Sequence, residues 1–193
     1  MLAEQACRVK FDEDRPRSST LQPTVPKLST ESALAMVLLL ATGACRSGGF
    51  RDGVFAKDGV RYAIQPPQGW TAVSVEDTDL AWASGRTGFS IAVNSTCAQS
   101  ADVPLNVLTN QLLMGFTERQ RVSETSETLD GREALRSRFK ARLDGVPVSL
   151  ELLVLKKDGC VYDFMYLAPP DKQGEHQDDF DHVVGAFKTE PAA

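Results

Sequence analysis

Three Asp-Gly pairs, each fourteen residues after the last, constrain the fold of this chain more than any other feature. They are Asp130-Gly131, Asp144-Gly145 and Asp158-Gly159. Glycine accepts a positive φ at no steric cost, so Asp-Gly is typical of the tight turn of a β-hairpin. The segments 132–143, 146–157 and 160–168 beside these turns are therefore predicted to be strands of an antiparallel meander.

The stretch LRSRFKARL over 135–143 tests that prediction. On a helix, at about 100° per residue, Arg136 and Arg138 would point nearly apart, whereas on a strand all its cations share one face. A two-residue hairpin at 144–145 sets Phe139 opposite Leu150 and Arg138 opposite Glu151, so that apolar meets apolar and cation meets carboxylate. We interpret the basic stripe, defined as Arg136, Arg138, Lys140 and Arg142, as a solvated strand face with one paired charge, worth little energetically.

Helices are expected on both sides of this sheet. The segments 150–155 and 161–166 carry apolar residues on both strand faces, and such strands need cover on both sides. One amphipathic helix follows Asp102, a plausible cap, and Pro104 in its first turn. A second is predicted over 175–187. Their apolar stripes are Leu105, Leu108, Leu112 and Phe116, and Phe180, Val183, Val184 and Phe187. Shorter strands are predicted at 60–64, 69–75, 80–84 and 89–97.

The N-terminal third reads as an export signal. The run ALAMVLLLA over 33–41 has nine apolar residues, too few to span a bilayer but typical of the apolar core of a secretory signal. The following Thr42-Gly43-Ala44-Cys45 resembles the lipobox of bacterial lipoproteins, although that motif prefers an aliphatic residue where Thr42 stands. The resemblance implies cleavage before Cys45 and a diacylglycerol on its sulfur. An ordinary secretion signal and a buried helix in an unprocessed cytosolic chain are the alternatives.

The predicted organisation follows from this signal. Residues 1–44 form the leader, 45–57 the lipidated cysteine and a tether, 58–189 a globular domain and 190–193 a tail. Residues 1–32 carry five basic and five acidic side chains and lack a compact positive region, so the true start is hypothesised near Leu21 or Val25. Arg46 is not the aspartate that favours inner-membrane retention in lipoproteins, which by resemblance indicates the periplasmic face of the outer membrane.

The order of elements and motifs resembles a known superfamily. The opening YxIxxPxGW (Tyr62 to Trp70), the helix, the three-stranded meander and the closing FDxVVxxF (Phe180 to Phe187) are similar to Mog1/PsbP-like domains, particularly the bacterial envelope lipoproteins related to DcrB. The resemblance covers roughly 60–188. It implies an α+β fold, an antiparallel β-sheet flanked by helices as an α/β/α sandwich. It also implies partnership with larger assemblies and no shared enzyme activity.

Candidate sites are few. In an oxidising envelope, Cys97 and Cys160 are predicted to form a disulfide, with two buried thiols as the alternative. Cys7 would leave with the leader. His176 and His182 diverge by roughly 120° on a helix, so we expect a solvated acidic helix face rather than a metal site. Trp70 and Trp82 are interpreted as core residues rather than pocket walls.

The sequence therefore predicts no catalytic residue and no cofactor. It contains no GxSxG, HExxH, P-loop or GxGxxG motif, and a net charge of -5 argues against nucleic-acid binding. The expected function is that of a non-catalytic, lipid-anchored envelope protein that binds an envelope or secretion assembly as an accessory subunit. The alternatives are a periplasmic small-molecule or lipid carrier, with a pocket between sheet and helix, and a hydrolase built from scattered residues.

Overall fold

The computed structural model describes residues 49–86, 88–97 and 102–191. In chain order the elements are β1 (Gly49–Arg51), β2 (Val54–Lys57), β3 (Val60–Ala63), β4 (Thr71–Ala72), β5 (Leu80–Ala83), β6 (Ser90–Thr96), α1 (Leu105–Leu112), β7 (Phe116–Leu129), β8 (Arg132–Leu143), β9 (Val146–Lys157), β10 (Cys160–Ala168), α2 (Gln177–Gly185) and β11 (Lys188–Thr189). The predicted leader and lipidated Cys45 lie outside the described residues.

The predicted meander is confirmed residue for residue. Strands β8, β9 and β10 occupy the three segments that the Asp-Gly pairs delimit. At the hairpin between β8 and β9, Asp144 and Gly145 have φ of 50° and 79°, the two positive values that a type I′ turn requires. The register sets Phe139 opposite Leu150 and Arg138 opposite Glu151, as predicted.

The meander belongs to an antiparallel seven-stranded sheet of order β4-β5-β6-β10-β9-β8-β7. Its edge strand β7 was not predicted. The sequence FTERQRVSETSETL has no apolar alternation, and residues 117–126 are all exposed. The pairing of this strand with β8 contains two register shifts. Such irregularities and charged side chains are both common in strands at an exposed sheet edge.

Both faces of this sheet are covered, by different kinds of layer. On one face Leu108 of α1 packs against Val154 and Val161. On the other, α2 and a four-stranded sheet of order β1-β2-β3-β11 close over the main core. The fold is therefore α+β and dominated by antiparallel sheet. The predicted α/β/α sandwich is matched only in part, because strands share one of the outer layers.

The predicted tether over 45–57 overlaps the domain, and this requires a correction. Residues 49–57 form a hairpin, β1–β2, that pairs onward with β3. Phe55 is only 4% exposed and belongs to the main core. Two further Asp-Gly pairs with positive φ, at 52–53 and 58–59, make these turns. The domain thus includes Gly49, and at its other end Glu190 joins it through an ion pair with Arg61 at 2.7 Å.

The remaining differences are local. Helix α1 begins at Leu105 after Pro104, with no side-chain cap, so Asp102 is not the predicted cap. Phe116 opens β7 instead of ending the helix, and β4 keeps only two residues of the predicted strand at 69–75. Helix α2 is shorter than predicted and ends before Phe187, yet all four residues of the predicted stripe are buried. No helix in the described ranges is long and apolar enough to cross a membrane.

Candidate functional site

The basic stripe of β8 is largely solvent-exposed, as predicted, but it forms several ion pairs instead of one. Glu151 is fully buried and contacts the guanidinium groups of both Arg136 and Arg138, the latter at 2.6 Å. Lys140 Nζ forms an ion pair with the Asp171 carboxylate at 3.2 Å, and Arg142 Nε forms one with the Glu118 carboxylate at 2.8 Å. The predicted pairing of Arg138 with Glu151 is confirmed, but the prediction of a single pair is wrong because α2 and β7 bring further acids.

Arg136 is the centre of this network. Its guanidinium also pairs with Glu127 of β7 at 2.7 Å and Asp181 of α2 at 3.0 Å, and lies over the ring of Phe180 at 5.6 Å. Burial favours loss of its proton, but the hydrogen bonds that Arg136 donates to Glu127 and Glu151 outweigh burial, so the pKa of Arg136 is raised. The network ties α2 and the edge strand to the sheet, which is a structural task.

The predicted disulfide is present. Cys97, just after β6, and Cys160, at the start of β10, are bonded across neighbouring strands and lie 63 residues apart in the chain. This bond closes the segment that contains α1 and the long strands. It therefore restrains the part of the domain in which the sheet packs against α1.

His176 and the two tryptophans make packing and hydrogen-bonding contacts within the domain. His176 precedes α2 and its ring lies 2.8 Å from the Asp179 carboxylate, edge-on to Trp70 and Phe89. Trp70 donates its indole N–H to the same carboxylate at 3.1 Å. Both tryptophans pack in or against the main core, as predicted. His182 is exposed, and no group of three or more metal-ligating side chains occurs in the described part of the chain.

A buried carboxylate that sequence reasoning missed lies at Asp79, between β4 and β5. Its side chain is fully buried and accepts hydrogen bonds from Tyr62 and Ser95, with the Lys57 ammonium at 3.6 Å. Burial raises the pKa of Asp79, although Ser95 and Lys57 oppose this. Burial, followed by the nearby Asp79, also raises the pKa of Tyr62. This cluster joins the four-stranded sheet to the larger one.

A second missed carboxylate faces a pocket between α1 and the sheet. The pocket has a volume of about 240 Å³. Its polar lining residues are Asn94, Thr96, Gln111 and Asp163, and its apolar ones are Leu108, Leu112, Met114, Val154 and Val161. The strand β10 positions Asp163 because its odd-numbered residues point toward α1, while Tyr162, Phe164 and Tyr166 fill the opposite core. We call this the Asp163 pocket.

Electrostatics set Asp163 apart. Burial, and secondarily the negative charge of Asp79, raises its pKa to about 7. Helix α1, LNVLTNQL, carries no charged residue. The side chain is therefore poised to exchange a proton near neutral pH. The sequence signal that could have found it is a lone acid in a strand apolar on both faces.

A larger depression of about 520 Å³ lies beside the disulfide. Much of its wall is the Asp158-Gly159 turn and the charged side chains around it. Those side chains have structural partners: Lys157 pairs with Asp130 at 2.7 Å, and Lys156 donates to the Val103 carbonyl at 2.8 Å. Hydrogen bonds from Lys157 and Thr189 outweigh burial and lower the pKa of Asp130. We therefore regard the smaller Asp163 pocket as the better candidate site.

Comparison with known proteins bears on the fold. Cyanobacterial PsbP from Synechocystis superposes with a TM-score of 0.51 at 16% identity, over 67% of this chain and 86% of that one. The fold is PsbP-like. The PsbP-like fold predicted from the sequence is thus confirmed, whereas membership of the Mog1/PsbP-like superfamily and kinship with DcrB stay predictions.

Two other solved structures are less similar. LpqN, involved in cell envelope biogenesis of Mycobacterium tuberculosis, gives a TM-score of 0.48 at 14% identity, over 67% of this chain and 83% of that one. A Pseudomonas aeruginosa protein of unknown function gives 0.46 at 11% identity, over 72% and 96%. No family model and no curated protein matches the chain.

Proposed function

We propose that this chain is a non-catalytic, lipid-anchored protein of the bacterial envelope whose PsbP-like domain binds a partner protein. The anchor would be a diacylglycerol on Cys45, and its membrane the periplasmic face of the outer membrane. The partner would be an envelope or secretion assembly of which this chain is an accessory subunit.

The proposed location draws support from two features. The apolar run over 33–41 followed by Thr42-Gly43-Ala44-Cys45 has the form of a lipoprotein signal. The bond between Cys97 and Cys160 would persist in an oxidising compartment and is uncommon in a reducing cytosol. Each buried CH₂ contributes about 0.8 kcal/mol to membrane binding, so several acyl chains would hold the domain firmly.

The proposed binding role is carried by β7. This edge strand is fourteen residues long, and its residues 117–126 are exposed without a break. Its backbone pairs with β8 on one side, which leaves the other edge for a partner strand. Val122, 55% exposed, gives this edge an apolar contact. In contrast, Arg136 and Arg138 of the β8 stripe are paired with the buried Glu151.

A photocrosslinking residue placed at Val122 in intact cells tests this role. We expect a discrete adduct in the membrane fraction, because the edge would contact its partner there. The matched control is the same residue at Val75, which is 51% exposed and lies beyond β4, at the opposite edge of the sheet. Adducts of equal yield at both positions, or at neither, would contradict partner binding through β7.

A second candidate function, a small-molecule carrier, is favoured by the Asp163 pocket. The pocket lies between sheet and helix, combines apolar walls with a few polar groups, and is the kind of site that binds small ligands. Its volume of about 240 Å³ is too small for a lipid chain of membrane length. The cargo would therefore be compact.

A further inference from the structure

The domain provides partners for the other carboxylates that it withdraws from water, although Asp79 Oδ1 accepts no hydrogen bond from the described residues. Glu151 has two arginines, Asp79 has Tyr62, Ser95 and Lys57, and Asp130 has Lys157 and Thr189. This is the expected pattern, because an unpaired carboxylate withdrawn from water costs free energy.

Asp163 departs from that pattern. Within the described ranges its carboxylate has no hydrogen-bond or ion-pair partner, and no cation lines its pocket. The neighbouring groups that could bond to an incoming ligand are the side chains of Asn94 and Thr96 on β6 and Gln111 on α1. Asp163 is half-buried, and its carboxylate lines a space large enough to hold a hydrogen-bond donor.

We propose that the Asp163 pocket binds a small alkylammonium ion, with the ammonium group on the Asp163 carboxylate and the alkyl chain against Leu108, Leu112 and Val154. The ammonium has three donors, which the carboxylate and the Asn94 and Thr96 oxygens can accept. Partial withdrawal of the ion pair from water by the apolar walls would strengthen it. Pockets for drug-sized ligands have volumes of about 300–1,000 Å³, so this pocket of about 240 Å³ admits a smaller amine.

This inference rests on the second candidate function, small-molecule binding, and is independent of the lipid anchor. An alkylammonium ion could be a free amine or the ethanolamine headgroup of a phospholipid. Both present the same donor, so the experiment has an arm for each source. The charge of Asp163 must be present for either, and Asp79 is the charged group that opposes it.

The test is an NMR titration of the folded domain with n-butylammonium chloride, with n-butanol as the neutral probe of the same size. We expect saturable shifts at the amides of Val154 and Val161, and at least tenfold weaker binding of butanol. Asp163→Asn keeps the shape and removes the charge, so it should weaken butylammonium binding at least tenfold. Asp171→Asn, which changes an exposed acid on the loop after β10, should leave it unchanged. Wild-type affinity should rise between pH 5.5 and 8 as Asp163 ionises.

A blocking variant and a vesicle arm complete the design. Gln111→Trp, at an exposed position on the pocket rim, should also weaken binding without disturbing the core. Cosedimentation with phosphatidylethanolamine vesicles but not phosphatidylcholine vesicles, lost in Asp163→Asn, would assign the amine to a lipid headgroup. Equal binding of butanol and butylammonium would overturn the amine preference while leaving a carrier. Absence of saturable shifts with both probes would overturn the carrier function as well.

Discussion

Replacing Glu151 by glutamine is the sharpest test of how the sheet holds its helix and edge strand. The variant keeps the shape of the side chain and removes its charge, and Glu151 is fully buried between Arg136 and Arg138. Breaking a buried ion pair costs about 3–5 kcal/mol. We expect about 3 kcal/mol, the lower end of that range, because Arg136 keeps Glu127 and Asp181.

Urea unfolding followed by circular dichroism measures this loss. With a slope of about 2 kcal/mol per molar urea, the midpoint should fall by roughly 1.5 M. The matched control is Asp171→Asn, which removes an ion pair at the surface, where the Lys140 side chain is 59% exposed and that of Asp171 is 83% exposed. Loss of this pair should lower the free energy of unfolding by at most about 1 kcal/mol. A Glu151→Gln midpoint no lower than that of the control would refute the account of the network.

Three further predictions concern stability. Replacing both Cys97 and Cys160 by serine should cost about 4 kcal/mol, because the bond closes a long loop, and reduction should lower the urea midpoint of the wild type but not of the variant. Gly145→Ala should cost about 1 kcal/mol, since φ there is +79°; Gly85→Ala, with open space and no positive φ, is the control, and equal thermal midpoints would contradict the turn argument. Because Asp163 has a folded pKa of about 7, far above its unfolded value, it stabilises the fold at acidic pH and loses that contribution as pH rises through about 7. The stability of Asp163→Asn relative to wild type should therefore rise between about pH 4 and 7 in urea titrations, and parallel pH profiles would contradict the raised pKa.

The elements that the sequence predicted well are those with a local signal. Asp-Gly turns and strand alternation are read from neighbouring residues, and they delimited β8, β9 and β10 and set Arg138 opposite Glu151. The same turn rule applies to Asp52-Gly53 and Asp58-Gly59. Asp52-Gly53 lies within the predicted tether over 45–57, which was inferred from its closeness to Cys45.

The features that the sequence did not predict depend on distant packing. Strand β7 is held by backbone pairing to β8 while its side chains remain in solvent, so it leaves no apolar pattern. The burial of Glu151 requires α2, whose Gln177 and Asp181 lie over the stripe. The Asp163 pocket is lined by residues of α1 and of strands β6, β9 and β10, which are distant in the chain, and no local sequence pattern encodes that placement.

Lipid attachment at Cys45 is the claim on which the proposed location rests. The most direct measurement is metabolic labelling of growing cells with an alkynyl palmitate, followed by capture and mass spectrometry of the chain. If Cys45 carries the lipid, we expect a labelled protein that begins at Cys45, loss of label in Cys45→Ser, and full labelling in Cys7→Ser. An unlabelled chain that retains residues upstream of Cys45 would contradict it.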